Sequence, residues 1–178
     1  MVGRWLLLIY TVPAEPSRKR AAVWRDLKRA GAVYLRDGVC ALPEGPETLG
    51  ALEAVAAKVA EFEGQAALVR HAQIDAERAA AIEEEARRAR AAEFHEVAEE
   101  AERLLEHVRR ESDHRDFGFT ELEELEADLG KLRRWAQQIR ARDHFAVAGT
   151  TGVDGLLQRC EDTLATFLEE AARHDRPA

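Results

Sequence analysis

The sequence predicts an α+β protein in which a small sheet-and-helix domain is followed by an all-helical one, and three observations carry that expectation. Four short apolar runs and two amphipathic stretches alternate over the first seventy or so residues; no strand signal follows Ala72; and three long helical seams of similar length fill the remainder. Charge divides in the same place. Residues 1–42 hold eight Lys/Arg against three Asp/Glu, whereas residues 72–178 hold sixteen against twenty-six, within a chain whose net charge is −8.

Trp5 to Val12 is apolar, aromatic and β-branched, and Pro13 stops it, so it reads as a strand buried on both faces. Pro16 and Ser17 open a helix along which Ala21, Val23, Trp24, Leu27 and Ala30 recur at helical spacing, closed by Gly31. Two apolar runs, 32–35 and 39–42, flank Arg36-Asp37-Gly38. Asp-Gly between such runs is a hairpin signal, because glycine accepts the positive φ the tight turn requires. Glu47 to Phe62 presents Leu49, Leu52, Val55, Ala56, Val59 and Phe62 on one stripe, and Gly64 precedes a last run, Ala66 to Val69. The order β-α-β-β-α-β is that of the ferredoxin-like arrangement, one antiparallel sheet with both helices on one face. Its other face is left for dimerisation or for a second domain.

Asp75 to Glu93 is Ala, Glu and Arg with Ile82 as its one large apolar residue, a helix polar nearly all round. Its apolar seam begins at Phe94 and continues through Val97, Ala98, Ala101, Leu104, Leu105 and Val108. A second seam uses Leu122, Leu125, Leu129, Leu132, Ala136 and Ile139, with Thr120 and Glu123 as a capping box. A third uses Val153, Leu157, Cys160, Leu164, Phe167 and Ala171, after a break at Gly149 to Gly152. Three such helices predict an antiparallel three-helix bundle. The expected domains are 1–73, ferredoxin-like, and 74–178, the bundle.

Several function classes find no support in the residues. No run reaches the roughly 18–20 apolar residues of a membrane span, and the first strand is too short for a signal peptide, so a cytoplasmic protein without a membrane partner is expected. Cys40 and Cys160 have no zinc-like spacing and are expected to be buried small hydrophobes. Phosphate-binding glycine loops and nucleophile elbows are missing, and Ser17 and Ser112 sit at helix boundaries. On the long helix His95 with Glu99, and His107 with Glu111, are i,i+4 pairs that could offer a metal two ligands, but an Ala/Glu/Arg-rich helix generates such pairs by composition. The expectation is therefore a non-enzymatic protein with no catalytic residue, metal or cofactor.

The most informative cluster is basic: Arg18, Lys19, Arg20, Arg25, Lys28 and Arg29 on the first helix, with Arg36 at the turn beyond. Two readings stand side by side. It is an ordinary solvated face, or it is a surface for phosphates of DNA or for a small oxyanion. Trp5, Trp24 and Trp135 read as core or interface anchors, Trp24 being the one placed between basic residues.

The stretch Trp5 to Pro13, then Ser17 to Ala32, then Leu35-Arg36-Asp37-Gly38-Val39 and Leu42-Pro43, resembles the N-terminal domain of the chromate-resistance regulator ChrB. Lys131 to Trp135, Ile139 to Asp143 and Phe145 are similar to that domain's helical part. The resemblance implies chromate-responsive transcriptional control, with operator DNA and chromate or another oxyanion as partners of the basic helix, and a homodimer. Larger ChrB proteins carry a C-terminal domain with no counterpart in these residues, so its activities are not expected here. The first half is also similar to the ferredoxin-like domain of PaaX repressors and of small CRISPR-associated nucleases. Those nucleases place a metal-binding Asp at the end of the first strand, where this chain has Tyr10-Thr11-Val12, so nuclease activity is not expected. The alternative, from a different class, is a scaffold protein of the chromate-resistance system whose sheet and bundle bind another protein.

Overall fold

The computed structural model describes residues 3–114, 118–147 and 150–174. Two compact units divide the chain: Met1–Arg88 with Arg142–Ala146, and Ala89–Ala141 with Val147–Ala178.

The first unit holds β1 (Trp5–Thr11), α1 (Ser17–Ala30), β2 (Val33–Arg36), β3 (Val39–Pro43), α2 (Pro46–Glu61) and β4 (Gln65–Ala72), in the order expected. The strands form one antiparallel sheet in the order β2-β3-β1-β4. Strand alternation divides the apolar side chains between two faces. Leu6, Leu8, Cys40 and Leu42 point to one face, where Val23 and Leu27 of α1 and Leu52, Val55 and Val59 of α2 bury them. The expected hairpin joins β2 to β3. Gly38 has φ +70°, and a Cβ there would stand 2.5 Å from the Tyr10 carbonyl oxygen, so this turn and its close approach admit only glycine.

Trp5, Val33 and Ala41 point to the opposite face, which is covered within the same unit. The cover comes from the start of α3 (Ala76–His114), through Ala79, Ile82 and Ala86, and from Phe145, whose ring centroid lies 5.9 Å from that of Trp5. The stretch read as polar all round therefore has a narrow buried stripe, made mostly of alanine. Arg87 Nε donates to the Phe145 carbonyl at 3.3 Å, and His144 Nε2 donates to the Ala30 carbonyl at 2.7 Å, capping α1 where its last carbonyls lack helical partners. Gly31 ends α1 in the left-handed region at φ +79°, with the Arg142 carbonyl 2.6 Å from where a Cβ would be.

The second unit packs the rest of α3, α4 (Phe119–Ala141) and α5 (Thr150–His174) around one core. Every residue of the three predicted seams except Ala171 is buried there or packs against it, and Ala171 is itself buried. Cys160 Sγ bonds the Ala101 carbonyl at 3.3 Å and Ser112 Oγ donates to Glu170 at 2.7 Å, so α3 and α5 run parallel. Arg133 pairs with Glu161, and Arg140 with Asp154, which makes α4 antiparallel to α5. Thr120 lies inside α4 rather than capping it, because the Leu122 amide donates to the Gly118 carbonyl and the helix begins at Phe119. Gly149, expected at the break before α5, lies outside the described residues.

Candidate anion-binding surface on the first helix

Helix α1 buries only Val23 and Leu27 fully, and the rest of its circumference decides what the basic cluster can do. At about 100° per residue, Arg18, Ala21, Arg25, Lys28 and Arg29 fall on the arc opposite those valine and leucine side chains, with Trp24 at its edge. All six are exposed. Arg20 is exposed in the first turn, and Arg36 is exposed at the end of β2. The Tyr10 amide donates to the Gly38 carbonyl at 2.7 Å, so the turn following Arg36 lies at the end of the sheet where β1 stops and the chain enters α1.

The seven predicted residues are not equivalent. Lys19 turns away from the exposed arc: its ammonium is 3.3 Å from Glu63 and 3.4 Å from the Phe62 carbonyl, and 5.8 Å from the Phe62 ring centroid. Arg29 Nη1 donates to Asp26 at 2.7 Å, and Asp26 is held from α2 as well by Lys58. The Lys58 hydrogen bond lowers the Asp26 carboxyl below its usual value, with Arg29 adding to the effect, so this carboxylate stays charged and keeps both cations engaged. Lys28 stands 4.8 Å from the Trp24 ring centroid. Arg18, Arg20, Arg25 and Arg36 form no ion pair among the described residues, so their guanidinium groups are available to an external anion.

Two local features add to the positive charge. The first turn of α1 contains no acidic residue, leaving the unpaired amides of the helix start uncompensated, and its last turn carries Lys28 and Arg29. Trp24, 47% exposed, supplies a flat apolar surface among the cations. Trp24 shares the helical spacing of Val23 and Leu27, lying about 100° from the first and about 60° from the second, so it sits at the border of the buried stripe and is left half exposed.

A family model described as "Protein ChrB, N-terminal" matches residues 20–177. The chain belongs to the ChrB N-terminal family. The match to the ChrB model takes in both units, and contains Arg20, Arg25, Lys28, Arg29 and Arg36, while Arg18 and Lys19 lie immediately before it. Protein ChrB of Cupriavidus metallidurans (strain CH34) is 38% identical over 61 residues, which is 34% of this chain and 19% of that protein. The aligned stretch thus spans about a fifth of the ChrB relative. No solved structure matches.

Proposed function

We propose that this ChrB-family chain is a non-enzymatic regulatory protein that binds DNA through the exposed face of α1 and answers to chromate. The observation that carries the reading is the set of unpaired arginines, Arg18, Arg20 and Arg25 on α1 with Arg36 beyond, beside an exposed Trp24 in a chain of net charge −8. Unpaired guanidinium groups suit phosphate and tetrahedral oxyanions alike, since each offers two parallel donors to two oxygens. Acidic charge elsewhere limits DNA contact to this face. Chromate, a dianion with four oxygens, competes for the same donors. The site therefore works as a cytoplasmic switch between two anions, with no cofactor needed to hold either.

A homodimer fits the sheet. Leu7 pairs with Val69 and Ile9 with Ala67 on the face opposite α1 and α2, and Ile9 and Val69 are 46% and 38% exposed. An apolar patch beyond the part of that face covered by Ile82 and Phe145 supports a second copy there, or the scaffold role in which another protein takes its place.

Fluorescence anisotropy with the DNA upstream of the protein's own transcription unit tests the proposal, with chromate added and sulfate as the isosteric control. Specific binding released by chromate and not by sulfate is expected. Absence of DNA binding would reduce the basic face to a solvated one and favour the protein-partner reading.

A further inference from the structure

Helices α3 and α4 bring one imidazole and two carboxylates together in the bundle unit, away from everything used above. Glu111 follows His107 by four residues, so both leave the same face of α3. Glu121 reaches them from the start of α4. His107 Nε2 lies 3.0 Å from Glu121 Oε1 and 3.5 Å from Glu111 Oε1. One ligand atom from each of the three residues lies within 4.8 Å of the other two, and all three residues are partly buried.

The protons at this cluster do not suffice. An imidazole nitrogen carries at most one hydrogen, and that hydrogen can point at one acceptor only. Here two carboxylates converge on the same Nε2. Glu121 Oε1 is buried and has no hydrogen-bond partner among the described residues, even with Nε2 so near. A buried carboxylate oxygen without a donor, beside a second carboxylate, is a local deficit of positive charge. An ordinary ion-pair cluster would supply that oxygen with a donor.

A divalent cation meets the deficit in a way one proton cannot. Bonds of about 2.0–2.2 Å to an imidazole nitrogen and to carboxylate oxygens place neighbouring ligand atoms about 3.0 Å apart at right angles and about 3.4 Å apart in a tetrahedron. The two His107 separations, 3.0 and 3.5 Å, already have that spacing. We propose that His107 Nε2, Glu111 Oε1 and Glu121 Oε1 bind a first-row divalent cation of the Zn²⁺ type. The imidazole favours such an ion over Mg²⁺ or Ca²⁺, and three protein ligands leave a position open to water. His107 also lines a surface groove with Glu100, Arg103, Asp128 and Lys131. The cation ties α3 to α4, and because the third ligand is brought in only by folding, binding stabilises the folded bundle.

The test uses the full chain, stripped with a chelator, titrated with Zn²⁺ by calorimetry and followed in thermal melts. The wild type should take up one equivalent at this site and its Tm should rise with Zn²⁺ concentration. Glu121→Gln keeps the side-chain shape and removes one charge, so its metal-free Tm should equal or exceed that of the wild type while Zn²⁺ affinity falls at least tenfold. His107→Ala should lose the same binding event. His95→Ala should not, because His95 and Glu99 are an exposed pair 3.6 Å apart with no third ligand among the described residues. Absence of saturable Zn²⁺ binding, or undiminished binding in both Glu121→Gln and His107→Ala, would overturn the proposal.

Discussion

The ammonium of Lys28 lies 4.8 Å from the ring centroid of Trp24, while the indole itself remains 47% exposed. A cation held over an aromatic face in this way orders both side chains on the surface and leaves the edge and other face of the ring to a ligand. The pair is the meeting point of charge and apolar area on α1.

Trp24→Ala should separate stability from binding. Removing an exposed side chain changes folding free energy by no more than about 0.5 kcal/mol, whereas a base stacked on the indole contributes about 1–3 kcal/mol. Chemical denaturation should give an unchanged midpoint for the variant, and DNA titration a five- to hundredfold weaker complex.

Ile82→Ala tests the covering of the second sheet face. Ile82 is fully buried with Trp5, Val33, Ala41 and Phe145, and truncating a buried Ile to Ala costs about 2–5 kcal/mol. Denaturation of the variant should show a loss in that range. A loss below about 0.5 kcal/mol, as for a solvated helix position, would place Ile82 on the surface.

Asp26 links α1 to α2 through Lys58 and gives the sheet unit an acid-sensitive contact. Its folded carboxyl titrates below the ordinary value, so the stabilisation is present above the unfolded pKa of about 3.9 and is lost as pH falls through the lower folded value. Asp26→Asn should be less stable than the wild type by about 1 kcal/mol near neutral pH, and the gap should close in strong acid. A gap that widens on acidification would contradict this assignment.

Much of the fold was legible because its signals are local. The β-α-β-β-α-β order follows from Pro13, Gly31, Asp37-Gly38 and Gly64, each a stop or turn whose backbone requirement is written in one or two residues. The three bundle seams follow from side chains repeating at helical period, and every one of them is buried or packed on the core. The cover over Trp5 was not legible. It depends on Ile82 between two alanines and on Phe145, which stands 140 residues from Trp5 in a short segment with no periodicity of its own. The first three turns of α3 consequently belong to the sheet unit, although their composition matches the helices that follow.

The candidate sites show the same division. Composition was enough to find the basic cluster, but the partners that occupy Lys19 and Arg29 come from Glu63 and from the Asp26–Lys58 contact, which spacing along α1 does not reveal. At the His107 cluster the i,i+4 pair was visible, whereas Glu121 arrives from another helix. Contacts between elements set both sites.

If the unpaired arginines of α1 are where the anion binds, as proposed, the salt dependence of DNA affinity shows it most directly. Each phosphate contact contributes about 0.9 to the slope of log affinity against log salt. Replacing Arg18, Arg20 and Arg25 together by Ala should flatten the slope by about 2.7 and weaken binding to all sequences similarly. A triple variant with the wild-type slope would contradict it and move the contact off this helix.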